Sequence, residues 1–265
     1  MTIWKRNKIK NIFSILLLVL PTLLVGQDLR HWFSEEFENT PKNIPQNKTA
    51  LVIGNTNYDN DKWDLKNPTN DANLISESFN KLGFDVILKE NLDRDQFLDE
   101  IESFKEKQDA YDFSIIYYAG HAIQDENGNS YILPIDFSSD SEIEEAGINI
   151  SELLNYFENS SHKCLFILDA CRNTGNNGLP KPSIQDPLNV KLAYSTSFGK
   201  TASDNIDSDN TIYTYYLSKL FLIEGLSVHD IFHNTSKKVL SKTNKMQYPV
   251  DYFGISIEDV QLKNN

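Results

Sequence analysis

The strongest constraint on the fold is an alternation between short apolar runs and amphipathic helical segments. Five runs are rich in β-branched and aromatic residues, as strands are: ALVIGN, FDVIL, DFSIIYYAG, KCLFILDA and VKLAYSTS. Helical periodicity lies between several of them, as over residues 71–82 and 92–107. Because the central runs are apolar almost throughout, both faces of those strands should be covered. The pattern predicts an α/β fold, a mostly parallel sheet with helices on both faces.

The two ends of the chain differ from this pattern. In residues 1–26, four basic residues precede an apolar run at 12–25, shorter than the roughly twenty residues of a transmembrane helix. This predicts an export signal, for the periplasm or the outside, with an uncleaved membrane anchor as the alternative. Residues 27–48 are polar and predict a linker or short prosegment. The predicted folded domain spans residues 49–256, and residues 257–265 are predicted to be a tail.

The chain is strongly acidic. It has 25 basic and 38 acidic residues, a formal net charge of −13. Without residues 1–26, which hold four basic and no acidic residues, 21 basic and 38 acidic residues remain, a net charge of −17. Such a surface repels phosphates, which excludes nucleic acid as an electrostatic partner. It favours cationic ligands and substrates.

Both cysteines, Cys164 and Cys171, lie in the run that predicts the fourth strand. Seven residues of extended chain separate them by more than about 20 Å, which is beyond the reach of a disulfide. Cys164 stands inside the apolar run, where a cysteine is usually a small buried side chain. Cys171 ends the run and needs another explanation in an exported protein.

His121 and Cys171 each follow the end of a predicted strand. In a parallel sheet, ligands bind beyond the carboxyl ends of the strands. If the third and fourth strands are neighbours, the two residues face each other there, and a nearby histidine favours the reactive thiolate of cysteine. Taken alone, each has an ordinary explanation, because histidine is common in polar loops and cysteine in apolar cores.

Two aspartates extend this cluster. Side chains alternate along a strand, so Asp169 points to the same side as Cys171, and a buried carboxylate without a partner is costly. Asp71 stands at the start of the helix after the first strand, where its simpler role is that of a helix N-cap. If the first strand also neighbours the third, both aspartates converge with His121 and Cys171 on one edge of the sheet.

Seven segments, in order, resemble the bacterial caspase-like cysteine peptidases, relatives of metacaspases and caspases: ALVIGNTNY, LKNPTNDANLISESFNKLGFDV, IIYYAGHA, YILPID, FILDACRN, YSTSFGKTASD and GLSVHDIF. The resemblance covers about residues 49–254 and depends on the order and spacing of YYAGH and DACR. Legumain-like and gingipain-like peptidases of the same fold also pair a histidine with a cysteine. The segments DACR and LKNPTND resemble metacaspases more closely than they resemble those peptidases.

The resemblance implies a caspase–haemoglobinase fold, whose six-stranded sheet has the order 2-1-3-4-5-6 and an antiparallel last strand. It implies that Cys171 attacks the scissile carbonyl and that His121, the general acid–base partner, protonates the leaving amine. Water then hydrolyses the thioester. Backbone N–H groups of Cys171 and Ala122 would hold the oxyanion.

Ala122 departs from the family, which usually has glycine after the histidine. Alanine keeps the N–H group but costs roughly 1 kcal/mol or more if the backbone there has a positive φ. Ala122 is the one sequence feature that favours an alternative, a catalytically weak or silent caspase-like interaction module. A flavodoxin-like ligand-binding domain also fits the sheet pattern, but GNTNYDND after the first strand has a single glycine, unlike a phosphate-binding loop.

The resemblance also implies a preference for arginine or lysine at P1, the residue before the cleaved bond. Metacaspase-like enzymes bind a basic P1 side chain with two acidic residues, and the matching positions are Asp71 and Asp169. Caspases that cut after aspartate need arginines in this pocket. Of the four arginines, Arg172 follows Cys171, and strand alternation directs it away. The expected substrates are therefore proteins or peptides with basic residues.

No cofactor is expected. Some metacaspases require calcium, and calcium activation stays open here, although no segment reads as an EF-hand loop. His229 and His233 have the i, i+4 spacing of a metal site but lack an evident third ligand, so no metal site is predicted. Contact with a membrane is expected only through the N-terminal segment, if it is not cleaved.

Overall fold

The computed structural model describes residues 43–125, 127–158, 162–173, 190–196, 209–252 and 255–263. For residues 171–173 and 255–256 the description covers the backbone. The predicted export segment, residues 1–26, and most of the predicted linker lie outside the described residues. In the part described, no helix is both long and apolar enough to cross a membrane.

Within the described residues, eight strands form one sheet. Their bounds are β1 Lys48–Gly54, β2 Phe84–Glu90, β3 Phe113–Gln124, β4 Ser130–Ile132, β5 Ile148–Asn149, β6 Lys163–Asn173, β7 Val190–Tyr194 and β8 Val250–Tyr252. The main path is β2-β1-β3-β6-β7-β8, in which only β8 runs antiparallel to its neighbour. The predicted sheet and strand order are confirmed. The short strands β4 and β5 add an antiparallel extension beside β3.

Seven α-helices accompany the sheet in the described part of the chain. They are α1 Pro68–Lys81, α2 Arg94–Lys107, α3 Ile143–Ala146, α4 Ile150–Glu158, α5 Ile212–Phe221, α6 Val228–Lys242 and α7 Ile255–Glu258. Several begin where side chains satisfy the first N–H groups. Asp93 forms a capping box at α2, Ser227 forms one at α6, and Asn149 accepts from the N–H of Glu152 at 3.2 Å.

Apolar side chains fill both faces of the sheet. On one face, Val52 and Ile115 belong to a cluster with residues of α1, α5 and α6. On the other, Leu51 and Ile116 belong to a cluster with residues of α2 and α4. Full burial of each such side chain stabilises the fold by about 1.5–3 kcal/mol. The central strands are therefore apolar throughout because helices cover both of their faces.

In the predicted tail, residues 257–265, the described residues 257–263 include side chains of the core. Ile257, Val260 and Leu262 are at most 1% exposed, and Val228 donates its N–H to the Val260 carbonyl at 2.8 Å. Asn43, in the predicted linker, forms a β-bridge with Val260. The tail prediction was wrong because three separated apolar residues do not form a helical or strand pattern that the sequence analysis could recognise. They are buried by contact with distant segments.

Candidate active site

His121 and Cys171 lie opposite each other at the carboxyl ends of two adjacent strands. Strands β3 and β6 are parallel, and their register pairs His121 with Cys171 directly. The same register continues through eleven pairs, from Phe113 with Lys163 to Ile123 with Asn173. The long ladder between β3 and β6 therefore fixes the pairing of His121 with Cys171.

The imidazole of His121 is half-buried between two aromatic rings. Its centroid lies 4.9 Å from that of Tyr58 and 5.4 Å from that of Trp63. Its Nε2 atom lies 2.7 Å from the carbonyl oxygen of Trp63. Because a carbonyl oxygen only accepts, this hydrogen bond requires the proton on Nε2. Nδ1 is then the ring nitrogen that can exchange a proton with a reacting group.

The loop between β1 and α1 holds the Trp63 carbonyl in place. Trp63 ends a short 3-10 helix, Asp61–Trp63, which Asn60 caps by accepting from the N–H of Lys62 at 3.2 Å. The carboxylate of Asp64 accepts from the N–H of Tyr58 at 2.8 Å. The polar residues of this loop therefore organise the loop itself and bring Tyr58 and Trp63 to the histidine.

Two tyrosine hydroxyls bind the peptide groups of His121. The N–H of His121 donates to Tyr58 Oη at 2.9 Å, and Tyr118 Oη donates to the His121 carbonyl at 3.0 Å. Tyr118 Oη also contacts the Leu133 carbonyl at 3.1 Å. Burial raises the pKa of Tyr58 to about 12, so its hydroxyl is protonated at neutral pH. The backbone of His121 is therefore held on both its donor and its acceptor side.

Gly120 allows this arrangement. A Cβ atom at Gly120 would collide with Tyr118 Oη, and it would lie 3.1 Å from Tyr58 Oη. Any larger residue would displace the hydroxyls that hold His121.

Ala122 has an ordinary strand backbone. Among the described non-glycine residues, positive φ occurs at Asn91, Asn244 and Lys245, and Ala122 pairs with Ile132 of β4. The backbone conformation that would have made alanine costly is absent. The oxyanion role of Ala122 and Cys171 stays a prediction.

Asp71 and Asp169 share a hydrogen-bond partner at the start of α5. Asp71 lies in the first turn of α1 and is 0% exposed, while Asp169 lies on β6 and is 5% exposed. The N–H of Thr211 donates to Asp71 Oδ1 at 3.0 Å. The hydroxyl of the same residue donates to Asp169 Oδ2 at 2.6 Å. The structure thus brings together the two acidic residues of the predicted pocket.

Further donors surround the acidic pair. The side-chain amide of Asn210 donates to Asp71 at 2.9 Å, and the hydroxyl of Thr214 donates to Asp169 at 2.7 Å. Burial, and then the charge of Asp169, raise the pKa of Asp71 to about 8 in spite of these hydrogen bonds. A cation between the carboxylates would favour the ionised form of both.

The N-cap explanation for Asp71 is wrong. Helix α1 begins at Pro68, with Asn67 in the N-cap position, so Asp71 is already inside the helix. Gly54 lets the end of β1 approach this turn closely, because a Cβ there would lie 2.5 Å from the Pro68 carbonyl oxygen. The close approach brings Asp71 to the edge of the sheet.

Sequence reasoning did not identify Tyr58, Trp63, Asn210, Thr211 and Thr214. The tyrosine and tryptophan stand in a polar loop, where aromatic residues are a weak signal of a buried contact. The other three surround the start of a helix, where their residue types already have a capping role. Their contacts are with residues remote in the chain.

Cys164 and the histidines of α6 offer no second site. Cys164 is fully buried, and burial raises the pKa of its thiol to about 12. The rings of His229 and His233 stack with centroids 5.8 Å apart. Among the described side chains, no group of three or more His, Cys, Asp or Glu residues could hold a metal ion.

Comparison with known proteins gives matches over most of this domain. The family model of the caspase domain matches residues 47–256. The chain is 27% identical over 224 residues to a paracaspase of Dictyostelium discoideum, covering 78% of this chain and 52% of that protein. It is 27% identical over 170 residues to the human mucosa-associated lymphoid tissue lymphoma translocation protein 1, covering 62% of this chain and 20% of that protein. The chain therefore spans about half of the first relative and a fifth of the second.

Proposed function

This chain belongs to the caspase-domain family of cysteine peptidases, and from that premise we propose that it is an endopeptidase that cleaves after arginine or lysine. The observation that carries the proposal is the register of β3 and β6, which pairs His121 with Cys171 at the edge of the sheet. The buried pair Asp71 and Asp169 supports the preference for a basic P1 side chain.

The proposed reaction begins with the thiolate of Cys171. Its sulfur attacks the scissile carbonyl carbon, and the carbonyl oxygen becomes an oxyanion that accepts from the N–H groups of Cys171 and Ala122. The bond to the leaving amine then breaks as His121 gives that nitrogen a proton, which forms a thioester. A water molecule, deprotonated by His121, attacks the thioester and releases the acid and the thiolate.

The hydrogen bond between His121 and Trp63 supports this role for the histidine. With Nε2 directed to the Trp63 carbonyl, the proton transfers fall to Nδ1. The carbonyl dipole also stabilises the imidazolium that stands beside a thiolate. The aromatic rings of Tyr58 and Trp63 limit the rotation of the imidazole.

The acidic pair supplies the proposed specificity. Two buried carboxylates attract a guanidinium or ammonium group far more strongly than a solvent-exposed pair would. An aspartate at P1 would be repelled by the charge of Asp169 and would give Asp71 no reason to ionise. The expected substrates are therefore proteins or peptides with exposed arginine or lysine, and residues 1–26 would bring the enzyme to them by export.

The direct test is hydrolysis of matched fluorogenic peptides that end in Arg, Lys or Asp. The purified protein is compared with Cys171→Ala and with Cys164→Ala, with and without calcium. We expect cleavage after Arg and Lys that disappears in Cys171→Ala and persists in Cys164→Ala. A requirement for calcium would appear in the same assay.

The other outcomes distinguish the alternatives. Cleavage after Asp would refute the role of Asp71 and Asp169 but keep that of Cys171. An absence of cleavage by the folded protein in every condition would favour a silent interaction module or a zymogen. Ala122 has a strand backbone without positive φ, so it carries none of the backbone strain that would have favoured a silent module.

A further inference from the structure

We propose that Thr211 is a positioning residue that binds both carboxylates of the acidic pair and sets their orientation toward a cationic side chain. The inference rests on the proposed function, because Thr211 acts through Asp71 and Asp169. It adds a residue that contacts no substrate yet determines how well the pocket discriminates charge.

The proposal rests on the contacts of Thr211, whose N–H and hydroxyl bind two different carboxylates. The N–H of Thr211 lies 3.0 and 3.4 Å from the two carboxylate oxygens of Asp71. Its hydroxyl donates to Asp169 at 2.6 Å. Thr211 is 6% exposed, so water does not compete freely for these bonds. Movement of Thr211 would therefore change the orientation of both carboxylates together.

The hydroxyl of Thr211 has a single orientation. Its oxygen accepts from the N–H of Thr214 at 3.2 Å, since Thr211 is the N-cap of α5. Its hydrogen is therefore available to Asp169. The amino end of the ten-residue helix α5 also carries partial positive charge, which favours ionised carboxylates nearby. The hydroxyl oxygen of Thr211 thus both caps the helix and holds Asp169.

A relay of hydroxyls strengthens the hold on Asp169. Tyr117 Oη lies 2.6 Å from Thr214 Oγ1, which donates to Asp169 at 2.7 Å. Since Thr214 gives its hydrogen to the carboxylate, Tyr117 is the donor to Thr214. Asp169 thus receives two hydroxyl donors, from Thr211 and Thr214.

Two buried tyrosines near the pair, Tyr117 and Tyr213, are neutral at neutral pH. Burial, and then the charge of Asp169, raise the pKa of Tyr117 and of Tyr213 well above 10. Asp251 on β8 also acts on Tyr213. Among the described groups that face the pocket, Asp169 and, as the pH rises through about 8, Asp71 supply its negative charge. The donors supplied by Thr211 favour the ionised form that a cationic side chain needs.

The test compares Thr211→Val with Thr211→Ser in the Cys171→Ala background, where binding is measured without turnover. The ligands are two peptides that differ only at P1, one with arginine and one with citrulline, its neutral isostere. Thr235→Val is the matched control, because Thr235 is also a buried threonine and its hydroxyl donates within α6 to the Ile231 carbonyl at 2.8 Å. Circular dichroism confirms folding. Thr211→Gly, which costs a helix cap little, replaces Thr211→Val if that variant does not fold.

We expect Thr211→Val to weaken binding of the arginine peptide about tenfold and binding of the citrulline peptide less than about twofold. The midpoint of the pH dependence of arginine binding should rise by roughly one pH unit, because Asp169 loses the hydroxyl donor and the acidic pair then ionises at higher pH. Thr211→Ser should restore both quantities. In the active protein, KM should rise while kcat stays within about threefold of the wild-type value.

Two outcomes would overturn the inference while leaving the proposed function intact. One is an arginine preference in Thr211→Val equal to that of the parent protein. The other is an equal loss for both peptides, or a loss matched by Thr235→Val, which would indicate a general structural effect. A parent protein that binds the two peptides equally would instead refute the acidic pocket itself, and the inference with it.

Discussion

His121 pairs with Cys171 across the parallel strands β3 and β6, although fifty positions separate them in the chain. The pairing is one step of an eleven-residue register. A slip of one residue would turn every side chain of a strand to the opposite face, so the two apolar layers of the sheet protect the alignment of the site.

The two cysteines should differ in reactivity toward a thiol reagent. Cys164 is fully buried with its pKa raised to about 12, and a thiol reacts as its thiolate. We expect iodoacetamide to label Cys171 in the native protein at least about 100-fold faster than Cys164. Mass spectrometry of proteolytic peptides would measure both rates. The denatured protein, in which both should react, is the control, and equal native rates would contradict the prediction.

Gly120→Ala should destabilise the protein and reduce its activity. The added methyl group would displace Tyr118 Oη from the carbonyls of His121 and Leu133. We expect the free energy of unfolding to fall by about 2–4 kcal/mol, as urea denaturation would measure.

Tyr118→Phe separates the steric effect from the hydrogen bonds. It removes the hydroxyl alone and should cost about 1–2 kcal/mol. In the double variant, the closest collision is removed, although a Cβ at Gly120 would still lie 2.7 Å from Cζ of residue 118. Gly120→Ala should therefore cost less than it does in the wild type. Additive costs would show that the collision with Tyr118 does not cause the effect.

Asp71→Asn should stabilise the protein at high pH and abolish discrimination for basic peptides. Folding raises the pKa of Asp71 from 3.8 to about 8, so in this range the folded state binds more protons than the unfolded state. The contribution of Asp71 to stability is therefore full below about pH 4 and is lost as the pH rises through about 8.

An asparagine at position 71 has no carboxyl group to ionise, so the loss of stability at high pH should disappear. Its side-chain oxygen can still accept from the N–H of Thr211. At pH 9 we expect Asp71→Asn to be more stable than the wild type by about 1–3 kcal/mol, with little difference at pH 4. Thermal or urea unfolding at the two pH values would measure this. A variant that is less stable than the wild type at pH 9 would argue against a buried, repelling pair.

Binding of a basic peptide should strengthen with pH. Between pH 6 and 9, Asp71 passes through its pKa of about 8 and gains the charge that attracts arginine. In Cys171→Ala, which removes the pH dependence of the nucleophile, we expect the affinity for an arginine peptide to rise about tenfold across this range. The citrulline peptide should show no comparable rise. Equal pH dependence of the two peptides would exclude the acidic pair as its source.

The sequence alone determined most of the sheet and half of the site. Apolar runs indicated the five main parallel strands because strands buried on both faces cannot carry polar residues regularly. Strand ends then marked His121 and Cys171, and strand alternation associated Asp169 with Cys171. These features are local, because alternation along a strand and the end of an apolar run can both be recognised from consecutive residues. The order of the strands came from the resemblance to a family.

Only the tertiary structure decided which remote groups hold these residues. Thr211 meets Asp71 across 140 positions, and the Trp63 carbonyl meets His121 across 58. The burial of Val260 and Leu262 likewise depends on distant segments. Hydroxyl, amide and carbonyl groups occur in nearly every loop, so residue type does not reveal their partners. Partners are decided by how helices and loops pack on the sheet, which depends on contacts that no local period records.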